Sequence, residues 1–503
     1  MKILNYKIFL FAFALLFTQY SCDDNFAEIN TNPQVATNID PGFQFTWTQL
    51  RTSGGRYENW RAGLIYSSMI TQHMAALCGY WNGDKYTFNG GYNSSLFDRA
   101  YSEQVRDMQD LINTLEGGEV GDQTMLGMAR IWRTVIFHRL TDLYGDIPYS
   151  EAGLGAIAGI DFPKYDTQQE IYMDMLNELD QAIGQLGSGG FGSSDILYGG
   201  DVDKWRKFGN SMMLRLGMRL SEVDPGTAQS FVTKAIAGGI MVDNSDDAFI
   251  EHTNGPEGIN RNGIGEVLDK ANGFGDDCPR LSATLVDGLL ATGDPRLDIF
   301  GVIPDGAAGH NGLPNGLDET TIVNNPTGTS INDFDRINPT LVTVSSPMMF
   351  MTSAEAQLLA AEASVRGWTS GDAATLFNNG VANAMGQWAH YDASLTIDQS
   401  AIDAYLTANP FDAGNALEQI GHEYWLATFL NEYEAFSNIR RTGFPALTPV
   451  DYPGNVTGGQ IPKRLAYPSS ESGRAPFEEA KSRQGLSNDF TTFMSAPVWW
   501  DAN

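Results

Sequence analysis

Between Cys78 and Asn93 the chain reads Cys-Gly-Tyr-Trp-Asn-Gly-Asp-Lys-Tyr-Thr-Phe-Asn-Gly-Gly-Tyr-Asn, five aromatic side chains interleaved with amides, a carboxylate, an ammonium and glycines. Loops rarely expose so many rings. Flat aromatic faces stack on the apolar faces of sugar rings, while amide, carboxylate and ammonium groups reach the hydroxyls. Tyr80, Trp81, Asn82, Lys85, Tyr86 and Tyr92 are therefore the candidate binding residues, by stacking and hydrogen bonding, for a glycan. A purely structural role competes for each ring: Trp81, Phe88 and Tyr92 could equally pin the loop onto neighbouring helices.

Patterns that would signal catalysis fail on their own chemistry. His422-Glu423-Tyr424-Trp425-Leu426 begins like a zinc-protease helix but lacks the second histidine a metal needs. Gly187 to Gly192 fits a dinucleotide glycine pattern by letter, yet follows a helical segment instead of a strand. Asp243, Ser245 and Asp247 resemble the start of a calcium loop, but Ala248 and Asn254 occupy the glycine and bidentate-glutamate positions. No phosphate-loop lysine or serine elbow occurs, and nothing selects two of the 61 carboxylates as a hydrolytic pair. No cofactor or metal is expected.

The elements that must hold the aromatic loop are helices. Ala129, Trp132, Ile136, Leu140 and Leu143 recur at steps of three and four, one face of a helix over 124–143. Gly145 is placed to end that helix and Pro148 forbids its resumption. Similar periodicity predicts helices over 61–77, 98–115, 168–186, 203–221 and 227–237, then 282–291, 352–366, 372–388, 415–429 and 432–440. Thr167 with Glu170 and Thr352 with Glu355 have capping-box spacing. Amphipathic helices this close in sequence pack most economically as pairs against pairs. From about 240 to 350 the pattern turns to Gly, Asn, Asp and Pro, a long irregular insertion of the kind that usually carries function.

The N-terminus reads as an export signal. Lys2 and Lys7 flank an apolar run from Ile8 to Phe17, too short to anchor the chain, which ends in Ser21-Cys22-Asp23-Asp24. Cys22 is placed as in bacterial lipoproteins, where that cysteine is acylated after cleavage. Acyl chains contribute about 0.8 kcal/mol per buried methylene, enough to hold a chain on a membrane without a span. The predicted organisation is a leader over 1–21, a lipidated tether over 22–41 and one domain over 42–503. Removing residues 1–21 takes two lysines and no acid, so the formal charge falls from -30 to -32. Such a surface repels polyanions, which makes nucleic acid a poor partner. Cys78 and Cys278 remain once Cys22 is modified. An oxidising exterior allows a disulfide, no spacing rule demands one, and two buried thiols stay open as the alternative.

Several ordered blocks resemble the SusD/RagB-like nutrient-binding outer-membrane lipoproteins, in particular their second SusD-like branch. The blocks are the tether from Phe26 to Pro33, Leu143-Tyr144-Gly145-Asp146-Ile147-Pro148-Tyr149, the run from Trp205 to Arg219, and Asp294-Pro295-Arg296-Leu297. To these add Asn311 to Gly316, Met351 to Ala356, Ala360 to Ala363, Arg440-Arg441-Thr442-Gly443-Phe444-Pro445, Ile461 to Pro468, and Pro497-Val498-Trp499-Trp500-Asp501.

The resemblance implies a mainly α fold, tetratricopeptide-like helix pairs forming a curved scaffold with the irregular region packed on it as a ligand-bearing face. It further implies a non-enzymatic, lipid-anchored protein on the extracellular face of the outer membrane. Such a protein binds glycan nutrients and delivers them to a SusC-like TonB-dependent transporter. Oligopeptide capture is the alternative within the family, and a secreted hydrolase the alternative outside it. Family ligand residues do not transfer by position, so the six candidates rest on chemistry. Arg440 and Arg441, near Glu434 and opposed by Glu355 and Glu362 on another apolar helix, read as interhelical ion pairs; Trp499-Trp500 reads as a hydrophobic plug.

Overall fold

Side chains that accept backbone N–H bonds stand in front of the long helices and fix where they begin. In a computed structural model of the chain, residues 39–117, 122–255 and 258–502 are described. The leader, Cys22 and the tether up to residue 38 lie outside the described residues. The chain divides into a unit of residues 1–40 and a unit from Pro41 onward, and the architecture below belongs to the second.

Asp122 caps the Gln123–Tyr144 helix, Thr167 with Glu170 forms a full capping box on Gln168–Gln185, and Asp201 caps Val202–Arg219. Asp224 caps Pro225–Gly238, Thr352 with Glu355 boxes Ser353–Val365, and Asp372 caps Ala373–Gly386. These helices pack as neighbours: Gln123–Tyr144 on Gln168–Gln185, Val202–Arg219 on Pro225–Gly238, Ser353–Val365 on Ala373–Gly386, and Ala416–Ala427 on Glu432–Thr442. Each pair also contacts the next, so the mainly helical chain builds a scaffold of stacked pairs. Among the described residues no helix is long and apolar enough to cross a membrane.

Among the described residues eight short strands fasten the irregular parts to this scaffold: β1 (Met74–Ala76), β2 (Ile147–Pro148), β3 (Tyr165–Asp166), β4 (Ala248–Ile250), β5 (Pro279–Leu281), β6 (Gly301–Val302), β7 (Arg336–Ile337) and β8 (Met348–Met351). They pair antiparallel as β1–β5, β2–β3, β4–β8 and β6–β7. Gly145 ends its helix at φ +83°, and a Cβ there would lie 2.8 Å from the Gln484 carboxamide and 2.9 Å from the Arg464 guanidinium. The exit is therefore reserved for glycine on two counts.

The expected helix over 61–77 is corrected. A π-helical segment, Asn59–Ser68, gives way after Ile70 to a turn with Gln72 at φ +57°, and Met74 to Ala76 run on as β1. All three β1 residues are buried, so the strand shows no alternation that could separate it from a buried helix. A helix the periodicity does not predict precedes it: Pro41–Thr52, whose Phe45 stacks on Phe191 at 4.0 Å.

Charged groups fill part of the interior in matched sets. Arg441 forms a two-pronged pair with Glu362 at 2.7 Å on each arm, as its sequence neighbourhood suggests. Glu355 and Glu434 pair instead with Arg215 at 2.6 Å and Arg219 at 2.7 Å, arginines on another helix. Arg440 donates to the carbonyls of Lys463 and Asp142 and lies over the Phe436 and Trp500 rings. The Trp500 ring is fully buried and donates to Asp142 at 3.0 Å.

Candidate ligand-binding site

The aromatic loop begins two residues beyond β1, where Cys78 is joined by a disulfide to Cys278, the residue before β5. The bond closes the end of the β1–β5 ladder, in which Ala76 faces Pro279. It thereby holds the loop beside a strap, residues 273–278, of sequence Gly-Phe-Gly-Asp-Asp-Cys. Of the two states the sequence leaves open, the chain adopts the bridged one.

Between loop and strap lies an open cavity of about 870 Å³. Trp60 and Tyr80 form one wall, their rings edge to face at 6.2 Å and 76°. Phe274 and the glycines around it, on the strap, form the second, and Ile322 and Ile331 also line the space. Arg56, Asp277 and Glu319 supply charge around the opening. Aromatic walls with a few convergent polar groups are the composition expected of a small-molecule or sugar site of this size.

Asp276 ties the two walls together. It accepts from the Tyr80 hydroxyl at 3.0 Å and from the Trp81 indole N–H at 2.7 Å. Burial and the adjacent Asp276 carboxylate push the Tyr80 phenol up to about 12, so it stays protonated and donating at any ordinary pH. Tyr80 is 45% exposed and lines the cavity.

The six candidate residues divide by position. Tyr80 lines the cavity. Tyr92 is half-buried 6.0 Å behind Trp60, with the Arg61 guanidinium over its ring. Asn82 is half-buried, and its side-chain oxygen has no hydrogen-bond partner. Trp81, Lys85 and Tyr86 point inward. Trp81 and Tyr86 are fully buried, and Lys85 donates to the Ala76 carbonyl at 2.7 Å and to Asp84 at 3.0 Å. Their apolar bulk and the cost of leaving an ammonium unpaired draw them under the loop. Gly83 makes this possible, since a Cβ there would sit 1.7 Å from the Ile65 carbonyl oxygen.

The sequence reading missed Trp60, Phe274 and the strap carboxylates. Trp60 stands one residue ahead of the segment read as a helix, outside the aromatic run that drew attention. Phe274 carried a usable signal: a large ring bracketed by glycines is poorly placed for a core. What hid it was distance along the chain, because the two cysteines whose bond brings the strap to the aromatic loop lie 200 residues apart in sequence.

The other patterns resolve as structure. Asp243 caps Ser245, Asp247 accepts from the Ser353 backbone, and Glu423 pairs with Arg296 at 2.7 Å. Among the described residues no group of three or more His, Cys, Asp or Glu is arranged to hold a metal.

Comparison with known proteins adds three results. The fold is similar to that of a chitin-binding protein, 34% identical, over 92% of this chain and all of that one, with a TM-score of 0.83. It is likewise similar to a SusD-like protein of Bacteroidetes AC2a, at 26% identity, the same 92% and 100% coverage and a TM-score of 0.79. A chitin-binding SusD homologue from Flavobacterium johnsoniae shares the fold at 23% identity, with 92% and 98% coverage and a TM-score of 0.75. No curated protein sequence matches significantly. Residues 33–468 match the family described as SusD-like, starch-binding associating with outer membrane, and the chain belongs to that family.

Proposed function

We propose that the protein captures oligosaccharide nutrients in the cavity between the aromatic loop and the disulfide-tethered strap and acts as a binding protein, not a hydrolase. The observation that carries this reading is the Trp60–Tyr80 pair, two rings packed edge to face that line, together with Phe274, an open cavity of about 870 Å³. Family membership and the 34% identical chitin-binding relative favour N-acetylglucosamine oligomers as the first ligands to test. In this reading Cys22 carries the lipid, the domain stands on the extracellular face of the outer membrane, and a SusC-like TonB-dependent transporter receives the ligand. Cys22 and the tether up to residue 38 precede the described residues, so support for the anchor comes from the sequence pattern alone.

Calorimetry with chitooligosaccharides, maltooligosaccharides and basic peptides tests the reading. Saturable one-site binding of an oligosaccharide, with the sugar recovered intact, is the expected result. Binding of peptides with no response to any saccharide, or cleavage of the sugar, would overturn it.

A further inference from the structure

The rings of the cavity do not end at its edge. Trp60, edge to face with Tyr80 inside, also packs on Tyr92 at 6.0 Å. The Arg61 guanidinium lies 5.3 Å from the Tyr92 ring, 5.9 Å from Trp60 and 4.7 Å from Tyr57. Tyr57, Arg61 and Tyr92 all stand outside the cavity lining. Tyr57 is 53% exposed, and Arg61 and Tyr92 are half-buried. A row of neighbours, Tyr80, Trp60, Tyr92, Arg61 and Tyr57, therefore leads from the cavity to the open surface.

Two features set this row apart from ordinary packing. Trp60 and Arg61 stand on the π-helical segment Asn59–Ser68, a rare backbone geometry that recurs at functional sites. Among the described residues the Arg61 side chain makes neither a hydrogen bond nor an ion pair, and its Nε is buried without a partner. The carboxylate next to it in sequence turns elsewhere, since Glu58 accepts from the Gly55 backbone at 2.7 Å and faces Arg99 at 3.8 Å. Three rings thus fix the guanidinium in place and leave its N–H groups for an acceptor from outside the protein.

Resting on the sugar-binding reading of the cavity, we propose that the site has an outer half. One segment of an oligosaccharide fills the cavity, and the next lies along Tyr92 and Tyr57 with Arg61 donating to its hydroxyl or acetamido oxygens. The ligand class this selects is a neutral glycan longer than the cavity, because the chain's net charge of -30 opposes a polyanionic one.

Calorimetry with the trimer and hexamer of N-acetylglucosamine, and with maltotriose and maltohexaose, tests the outer half on the parent protein, Tyr57→Ala and Arg61→Gln. In the series that binds, the parent protein is expected to hold the hexamer at least about tenfold more tightly than the trimer. Each variant is expected to lose about five- to tenfold for the hexamer and nothing for the trimer, which the cavity alone accommodates. Tyr57→Ala removes a surface ring, so its Tm should match that of the parent protein and keep the comparison clear of folding defects. Equal affinity of the parent protein for both lengths, hexamer affinity unchanged in both variants, or an equal loss for trimer and hexamer would overturn the outer half and leave the cavity reading standing. No binding of any of the four sugars to the parent protein would overturn both.

Discussion

The indole N–H of Trp81 donates to the Asp276 carboxylate across 2.7 Å, joining the aromatic loop to a strap nearly 200 residues away in sequence. Asp276 also holds the Tyr80 hydroxyl, so one carboxylate positions an exposed ring through one hydrogen bond and braces it through another. Trp81→Phe removes a donor and part of a fully buried ring. A loss of about 1–3 kcal/mol is expected, read as a lower Tm, with ligand affinity falling because Tyr80 and the strap lose their shared anchor. Unchanged melting and affinity together would remove Trp81 from this role.

The disulfide does the same task covalently. Replacing both Cys78 and Cys278 with serine should cost about 2–4 kcal/mol in stability, since the bridge restricts the unfolded chain. Ligand affinity of the folded variant should fall as the strap gains freedom. Denaturant titration and calorimetry on the same sample separate the two effects.

Arg441 and Glu362 are both buried and meet through two hydrogen bonds of 2.7 Å. Arg441→Ala leaves the Glu362 carboxylate buried with Arg366 as its remaining partner at 2.9 Å. A loss of about 3–5 kcal/mol is expected for a buried pair broken from one side. Differential scanning calorimetry reads it, and a Tm within error of the parent protein would refute the structural assignment.

His252 is buried and its Nδ1 hydrogen-bonds the Asn260 carbonyl at 3.0 Å, while Nε2 has no partner. Burial lowers its pKa to about 4. The unfolded chain therefore takes up a proton near pH 6.5 that the folded chain refuses until about pH 4. Its contribution is fully present above pH 6.5 and is lost as the pH falls toward 4, roughly 3 kcal/mol in all. His252→Gln should flatten the pH dependence of Tm in that window, and an equal slope in both proteins would contradict the assignment.

Helix starts were the most legible part of the chain, because a cap is a local event: Thr167 with Glu170 and Thr352 with Glu355 each needed four residues of sequence. Pairing of the helices followed from their apolar stripes. The 61–77 segment failed because β1 is buried on both faces and has no period of its own. The site was half legible. Composition located the loop that forms one wall, but burial within the loop depends on what lies beneath it. Gly83 lets the loop sink against Ile65, which takes Trp81, Lys85 and Tyr86 inside and leaves Tyr80 at the surface. The opposite wall is set by the Cys78–Cys278 bond and the Asp276 hydrogen bonds, long-range contacts with no local sequence signature.

Calorimetric titration of chitohexaose into Trp60→Ala, Tyr80→Ala and the parent protein tests the central claim most directly. The parent protein should bind at one site, and each variant should lose about tenfold or more in affinity, the value of one aromatic face covered by sugar, with melting little changed. Equal affinity in all three proteins would place the ligand elsewhere on the molecule.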